Sequence, residues 1–375
     1  MRRYLASATL LITTISAASQ WNIQDAHTTA SLRGIHSLGN GVAWASGTHG
    51  TVLRTEDGGH VWQHCTMPPN AEELDFRGVQ AFDANTALVM SSGKGFVSRI
   101  YKTTDGCQTW KLVFTNPDED GFFDSIRLTH DKTLQVLGDP VKNTFAMFLS
   151  DDAGDTWFAS GTPGREAPAG SGAFAASNSS LIYLDPFMYF GTGAGSTTAP
   201  QVYRTHVNCA PPPDKPKGFP NNCTVAWMAT DVPLGITGST SGIFSLAARV
   251  GAQGKDGTNK VILVAVGGTY DKPAQTTGTA AISDDGGQTW KLATALPTGF
   301  RSSVAYDPST KAWIAVGTNG TDVSTDDGHN WRALKPGPND ALDADKNWNA
   351  LSLPFVVGPH GRIGVLRPSA VAAKP

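Results

Sequence analysis

Residues 55–62 read Thr55-Glu56-Asp57-Gly58-Gly59-His60-Val61-Trp62, and their pattern recurs along the chain. The pattern is Ser or Thr, any residue, Asp, any residue, Gly, two further residues and Trp. Further copies occupy residues 103–110, 150–157, 283–290 and 324–331, and Cys107 takes the glycine position in the second copy. Asp can cap its own turn by accepting backbone N–H bonds, Gly supplies a positive φ, and Trp can pack between neighbouring units. Copies at this spacing indicate a repeat protein.

Strand-like runs separated by glycine-containing turns precede each copy. For the first copy these runs are residues 32–35, 42–47 and 50–54, and the Trp of the copy opens a further, outer run. Four short strands per repeat are typical of one blade of a β-propeller. No long segment shows helical periodicity. The sequence therefore predicts an all-β protein.

The tryptophans give the number of blades. Each of the five motif copies ends in one, and Trp227 holds the same place in a sixth repeat whose motif is lost. The last repeat, residues 347–367, lacks its outer strand, and the segment 20–27 beginning around Trp21 supplies it. We therefore predict a seven-bladed β-propeller of four-stranded antiparallel blades over residues 20–368. An N-terminal strand closes the ring, which removes an exposed edge. We place an insertion at 206–224 in blade four and a C-terminal tail at 369–375.

The first residues have the pattern of an export signal. Arg2 and Arg3 are followed by an uncharged run at 4–15 and by small residues at 16–19. We predict a signal peptide over residues 1–19 and an exported, periplasmic or secreted protein. No later stretch is long and apolar enough to predict a transmembrane segment. Cys209 and Cys223 flank a proline-rich loop and are predicted to form a disulfide, whereas the pairing of the other two cysteines stays open.

The repeated motif resembles the Asp-box, also called the bacterial neuraminidase repeat. The sequence of residues 51–59 is similar to sequences found in propellers related to the photosystem II stability/assembly factor. This resemblance implies a seven-bladed propeller. In the photosynthetic members it also implies a non-enzymatic assembly factor that binds a membrane-protein partner through an arginine-rich surface. For this chain we carry over only the role of a protein-binding scaffold.

Ligands of propellers usually bind at the mouth of the central channel, where the inner strands start. Aligning the repeats places these residues at the seven starts: Arg33, Arg77, Asp124, Phe174, Phe244, Arg301 and Asn349. The three arginines would bind a carboxylate, a phosphate or an acidic peptide. Alternatively, each arginine pairs with a neighbouring acid or a carbonyl and only lines a wet channel.

The turns between the second and third strands reach the same face. Asp139 lies on one of them, and Tyr270, Asp271 and Lys272 place an aromatic, an acid and a base on another. We predict that these residues bind a ligand together with the arginines. The alternative is that the turn around Tyr270 is an ordinary polar loop.

A glycoside hydrolase is the second functional hypothesis. Sialidases share Asp-boxes and bind the substrate carboxylate with three arginines, which Arg33, Arg77 and Arg301 could imitate. A sialidase also needs a tyrosine nucleophile paired with a glutamate, and Tyr270 with Glu72 or Glu73 is the available combination. Glutamate is scarce, and the motif that usually opens a sialidase is absent. We therefore favour a scaffold, predict no catalytic residue, and consider an enzyme the less favoured alternative.

Charge and composition limit the partners. The net charge of −3 leaves no basic excess to compensate phosphates, so we expect no nucleic acid. No cysteine–histidine cluster or calcium-loop spacing indicates a metal, and we expect no cofactor. The predicted partner is a protein or an anionic ligand at the channel mouth, and we expect a monomer.

Overall fold

The computed structural model describes residues 20–129, 132–207, 226–253 and 259–371. Its strands form seven four-stranded antiparallel sheets, each the blade of a β-propeller. The prediction of a seven-bladed, all-β propeller is confirmed. The first strand of the described chain is β1 (Trp21–Asp25).

The remaining strands follow blade by blade in chain order. Blade 1 comprises β2 (Leu32–Gly39), β3 (Val42–Gly47), β4 (Val52–Thr55) and β5 (Gln63–His64). Blade 2 comprises β6 (Phe76–Ala81), β7 (Ala87–Ser91), β8 (Arg99–Thr103) and β9 (Lys111–Thr115). Blade 3 comprises β10 (Phe123–Leu128), β11 (Leu134–Val141), β12 (Thr144–Ser150) and β13 (Phe158–Ala159). Blade 4 comprises β14 (Leu181–Leu184), β15 (Phe187–Gly191), β16 (Gln201–His206) and β17 (Met228–Asp231).

The last three blades complete the ring. Blade 5 comprises β18 (Ser241–Gln253), β19 (Asn259–Thr269), β20 (Ala280–Ser283) and β21 (Lys291–Leu292). Blade 6 comprises β22 (Ser303–Asp307), β23 (Ala312–Gly317), β24 (Gly320–Ser324) and β25 (Arg332–Ala333). Blade 7 comprises β26 (Ala350–Ser352), β27 (Phe355–Val357) and β28 (Arg362–Leu366), together with β1.

The N-terminal strand closes the ring as predicted. β1 pairs antiparallel with β28 from Trp21↔Leu366 to Asp25↔Arg362, within the predicted segment 20–27. Trp21 is buried and lies 5.8 Å from the ring of Trp348 in the same blade. A short helix, α1 (Pro368–Val371), follows β28, and its last residue packs in the same apolar cluster. Part of the predicted tail is therefore packed on blade 7.

The Asp-box turns are built from internal hydrogen bonds. In the blade 5 copy, Asp285 Oδ1 accepts the backbone N–H groups of Gln288 at 3.0 Å and Thr289 at 2.9 Å. The Ser283 hydroxyl bonds Asp285 at 2.8 Å and accepts the N–H of Gly287 at 2.8 Å. Gly287 has φ +83°, a conformation that a side chain would strain. The conserved spacing of the motif within this chain is thus the spacing that one self-bonded turn requires.

The motif tryptophans join each blade to the one before it. Trp62 packs with Phe355 of blade 7 at a ring distance of 5.5 Å, and its indole N–H donates to Gln24. Trp290 lies in an apolar cluster with Tyr189 of blade 4. Adjacent blades therefore share one core at each interface, which is what holds the ring together.

One disulfide is present in the described chain, between Cys65 and Cys107. It connects the residue after β5 of blade 1 to the Asp-box of blade 2, where Cys107 has φ +65°. The sequence left this pairing open. Cys209 and Cys223, with most of the predicted insertion at 206–224, lie outside the described residues, so their disulfide stays a prediction.

Candidate functional site

The segment before blade 4 crosses the middle of the ring. The Ser177 hydroxyl donates to the carbonyl of Ser302 in blade 6 at 2.8 Å. Asn178 accepts the N–H of Ile126 in blade 3 at 2.7 Å and donates to the carbonyl of Val79 in blade 2 at 3.3 Å. Two neighbouring residues thus bond to blades on different sides of the ring. We call residues 167–180 the plug segment, because its buried residues bond to blades 2, 3, 5 and 6 inside the ring.

The position predicted for Phe174 from the aligned repeats is wrong. Phe174 was predicted to start the inner strand of blade 4, but that strand, β14, begins at Leu181. Phe174 belongs to the plug segment instead, where no strand is assigned. The signal available in the sequence was the long, glycine- and alanine-rich interval between Trp157 and Leu181. Its course through the channel could not be inferred, because its hydrogen bonds reach blades 2, 3, 5 and 6.

A cavity of about 960 Å³ opens above the plug segment, at the channel mouth. Residues of the inner-strand starts line it, as predicted for Arg33, Arg77, Asp124, Phe244 and Asn349. The plug segment adds Phe174 and backbone from its glycines and alanines, and the turns add further side chains. We call this space the channel-mouth cavity.

Four charged residues from blades 1 to 3 form what we call the charged wall: Arg33, Arg77, Asp124 and Asp139. Arg77 is partly neutralised, since its Nε donates to Asp75 at 2.7 Å. Arg77 Nη1 also donates to the carbonyl of Ala175 at 3.4 Å. Within the described chain, the Arg33 guanidinium has no hydrogen bond or ion pair, and its Nε is buried without a partner. The charged wall therefore contains one uncompensated cation.

The pKa of Arg33 reflects this environment. Burial lowers the pKa of its guanidinium, the positive charge of Arg77 lowers it further, and Asp75 opposes both effects. An arginine nevertheless keeps its charge in proteins. A desolvated, unpaired guanidinium is energetically unfavourable unless an anion approaches it.

Burial raises the pKa of both acids of the charged wall. Asp124 is 1% exposed, and its Oδ2 has no partner within the described chain. Burial raises the pKa of Asp124 well above its ordinary value, Asp139 raises it further, and Arg77 opposes the shift. Burial also raises the pKa of Asp139, although the N–H of Ala173 donates to its carboxylate at 2.8 Å. Both shifts favour the protonated carboxyl over the carboxylate.

The opposite side of the cavity is aromatic. Phe174 stacks on Phe244 with ring centroids 3.7 Å apart, and Phe300 meets Phe244 edge-on at 4.7 Å. Tyr270 lies 6.1 Å from Phe244 and is 50% exposed. We call these four residues the aromatic wall. Sequence reasoning found Tyr270 and two of the phenylalanines but did not recognise that they form one apolar surface.

Arg301 does not lie where the sequence predicted it. Its side chain is fully buried and forms an ion pair with Asp322. Its remaining N–H groups donate to the Phe300 carbonyl and Asn319 at 2.7 Å each and to Thr298 at 2.8 Å. Arg301 does not line the channel-mouth cavity, and the predicted cluster of three arginines is a pair. The alternative that an arginine pairs with a nearby acid holds for this residue.

The turn after β19 contributes less than predicted. Tyr270 lines the cavity, whereas Asp271 and Lys272 are exposed and outside its lining. Tyr270 lines the described cavity, whereas neither Glu72 nor Glu73 does. With Arg301 buried, the arrangement required by the sialidase hypothesis is not assembled here.

Two absences hold for residues 20–129, 132–207, 226–253 and 259–371. Within them, no group of three or more His, Cys, Asp or Glu residues is arranged to hold a metal ion. No helix in the same ranges is long and apolar enough to cross a membrane.

Two family models match parts of this sequence, and both agree with the Asp-box motifs. A family model for the photosynthesis system II assembly factor YCF48 matches residues 13–172, and a BNR/Asp-box repeat model matches residues 281–292. No curated protein matches the sequence.

The similar solved structures are also propellers. A structure of YCF48 bound to a D1 peptide is 18% identical with a TM-score of 0.58, covering 93% of this chain and 97% of that one. YCF48 from Cyanidioschyzon merolae is 16% identical with a TM-score of 0.55, covering 93% and 99%. An ancestral GH74 enzyme is 14% identical with a TM-score of 0.50, covering 90% of this chain and 41% of the enzyme. The motifs and the seven blades agree that the chain is an Asp-box β-propeller, and the matched part, residues 13–172, is similar to the photosystem II assembly factor YCF48.

Proposed function

We propose that this protein is an exported binding or assembly scaffold that holds a partner protein at the channel-mouth cavity. The family match supports a scaffold role, and a similar propeller has been solved with a bound peptide. The observation that carries the proposal is the unpaired Arg33 guanidinium in an open cavity.

The energetics of Arg33 support a binding role. A partly buried charge without a partner costs free energy, whereas a charge-assisted bond from arginine to a carboxylate is among the stronger protein contacts. A partner's carboxylate would complete the hydrogen bonds of Arg33 and could also contact Arg77 beside it. Binding would therefore relieve an unfavourable feature of the free protein.

The disulfide supports export. A bond between Cys65 and Cys107 persists in oxidising compartments such as the periplasm or the extracellular space. The signal-like pattern of residues 1–19 agrees with this location.

Crosslinking tests the proposal. The full chain and its Arg33→Gln and Arg77→Gln variants are expressed in the source cells, crosslinked in the cell envelope and recovered. We expect a specific protein partner whose recovery falls at least about fivefold in each variant, because each loses a charged hydrogen-bond donor. Arg332→Gln, on the exposed strand β25, is the control and should recover the partner normally. Equal recovery with all three variants would overturn the proposal.

A further inference from the structure

We infer that the ligand of the channel-mouth cavity is a short peptide segment that presents one carboxylate to Arg33 and an adjacent aromatic or large aliphatic side chain to the aromatic wall. This inference rests on the proposed function and narrows it from a protein surface to a class of peptide.

The size of the cavity favours a short segment. Its volume of about 960 Å³ lies at the upper end of the range of roughly 300–1,000 Å³ that is usual for small-ligand pockets. Residues 177–180 of the plug segment are buried and bond across the ring, which obstructs passage of a ligand through the channel. A chain terminus or a tight loop fits this space, whereas a flat protein surface would leave the cavity unfilled.

The two walls require two different groups on the ligand. The charged wall comes from blades 1 to 3, and the aromatic wall comes from blades 5 and 6 and from Phe174 of the plug segment. Both line the same cavity. A ligand with only a carboxylate would leave the rings of Phe174 and Phe244 in water, and one with only an apolar group would leave Arg33 unpaired.

The charge of the wall favours a carboxylate over a phosphate. Asp75 already neutralises much of Arg77, which leaves Arg33 as the uncompensated cation. The nearby Asp124 and Asp139 would repel a dianion whenever either ionises. One positive charge is matched by one carboxylate, from an acidic side chain or from a chain terminus.

Selection from peptide libraries tests this inference. The full chain is presented with two displayed libraries of random hexapeptides. One library ends in a free carboxylate, and the other continues into a fixed glycine–serine tail. We expect enrichment of peptides with a carboxylate within two residues of an aromatic or large aliphatic side chain. Enrichment from the first library alone identifies a terminal carboxylate, and enrichment of acidic residues in the second identifies a side chain.

Variants then assign the two groups to the two walls. Affinity for an enriched peptide, measured by fluorescence polarisation, should fall at least about tenfold in Arg33→Gln, which removes a charged contact. It should fall at least about fivefold in Tyr270→Ala and in Phe174→Ala. Tyr270 is half exposed, so its variant keeps the test valid if Phe174→Ala disturbs the plug segment. Arg332→Gln should bind normally.

The outcomes separate this inference from the proposed function. Failure of both libraries, or enriched peptides without either a carboxylate or a large apolar group, overturns the inference. A crosslinked partner that depends on Arg33 and Arg77 but not on Tyr270 would leave the scaffold proposal standing and reject the peptide class. Peptides that bind as expected, with no protein partner recovered from cells, would reject the scaffold instead.

Discussion

Polar side chains are hydrogen-bonded within the Asp-box turns, whereas some of those in the channel-mouth cavity are not. In the turns, the carboxylate of Asp285 accepts bonds from its own turn on both oxygens. In the cavity, Arg33 Nε and Asp124 Oδ2 are buried without partners in the described chain. Polar groups that bond within their own turn stabilise the ring, whereas unpaired ones reduce stability and are available to a ligand.

Arg33 and Arg301 show the same contrast at one repeat position. Both were aligned to inner-strand starts, in blades 1 and 6. Arg301 is completely paired inside the protein, and Arg33 is not. A repeat position therefore does not assign a role to its residue, because the neighbours supplied by each blade differ.

The largest expected change in the free energy of unfolding is a difference between variants of these two arginines. Arg301→Gln should lower the free energy of unfolding by about 3–5 kcal/mol, because it leaves Asp322 buried without its cation. Arg33→Gln should change it by less than about 0.5 kcal/mol or raise it slightly. Urea unfolding of both variants measures the difference. Similar losses in the two would show that Arg33 is also a structural residue.

Breaking the disulfide should come next. The bond closes a loop with a sequence separation of 42, and Cys65→Ala/Cys107→Ala should cost about 2–4 kcal/mol in urea unfolding. Cys65→Ala/Cys107→Gly is the matched control. It should regain up to about 1 kcal/mol, since glycine adopts the positive φ of position 107 without strain. If reduction leaves the unfolding midpoint of the native protein unchanged, the cross-link is not stabilising the ring.

Substitution of Asp285 or of its neighbour Asp284 tests the role of the Asp-box turn in stability. Asp285→Ala should cost about 1 kcal/mol, as for loss of a capping side chain. Asp284→Ala, which loses only a surface pair with Lys260, should cost less than about 0.5 kcal/mol. Thermal unfolding of both variants compares them, and equal effects would contradict the role given to the turn.

The same pair has a pH signature. Burial alone would raise the pKa of Asp285, but bonds from Thr289 and Ser283 outweigh it and lower the pKa. The stability that Asp285 contributes is therefore present above its unfolded pKa and is lost as pH falls through the folded value. The difference between the two variants should shrink in acid.

Asp124 should give the stability of the protein a pH dependence of its own. Its raised pKa means that the stability of its neutral form is fully present below the unfolded pKa and is lost as pH rises through the folded value. Asp124→Asn cannot ionise, so its melting temperature should exceed that of the wild type increasingly as pH rises. Melting curves from pH 4 to 9 measure this. Parallel pH profiles of the two proteins would show that Asp124 is not the titrating group.

The blades were predictable because their information is local. The spacing from Ser283 to Trp290 is the geometry of one turn, and the same spacing recurs at Trp62 and Trp331. Trp21 could be assigned to the last blade because the final repeat lacked one strand. The site was only partly predictable: Arg33, Arg77 and Tyr270 line the cavity, but Arg301, Asp271 and Lys272 do not.

The all-β class, the seven blades and the closure of the ring could be read from the amino-acid sequence, since each depends on contacts within a repeat or on a count of repeats. The Cys65–Cys107 bond, the course of the plug segment and the burial of Arg301 became known from the folded chain. They depend on hydrogen-bond partners and desolvation that other blades supply. The partner of Ser177, for example, is Ser302 in a distant part of the chain.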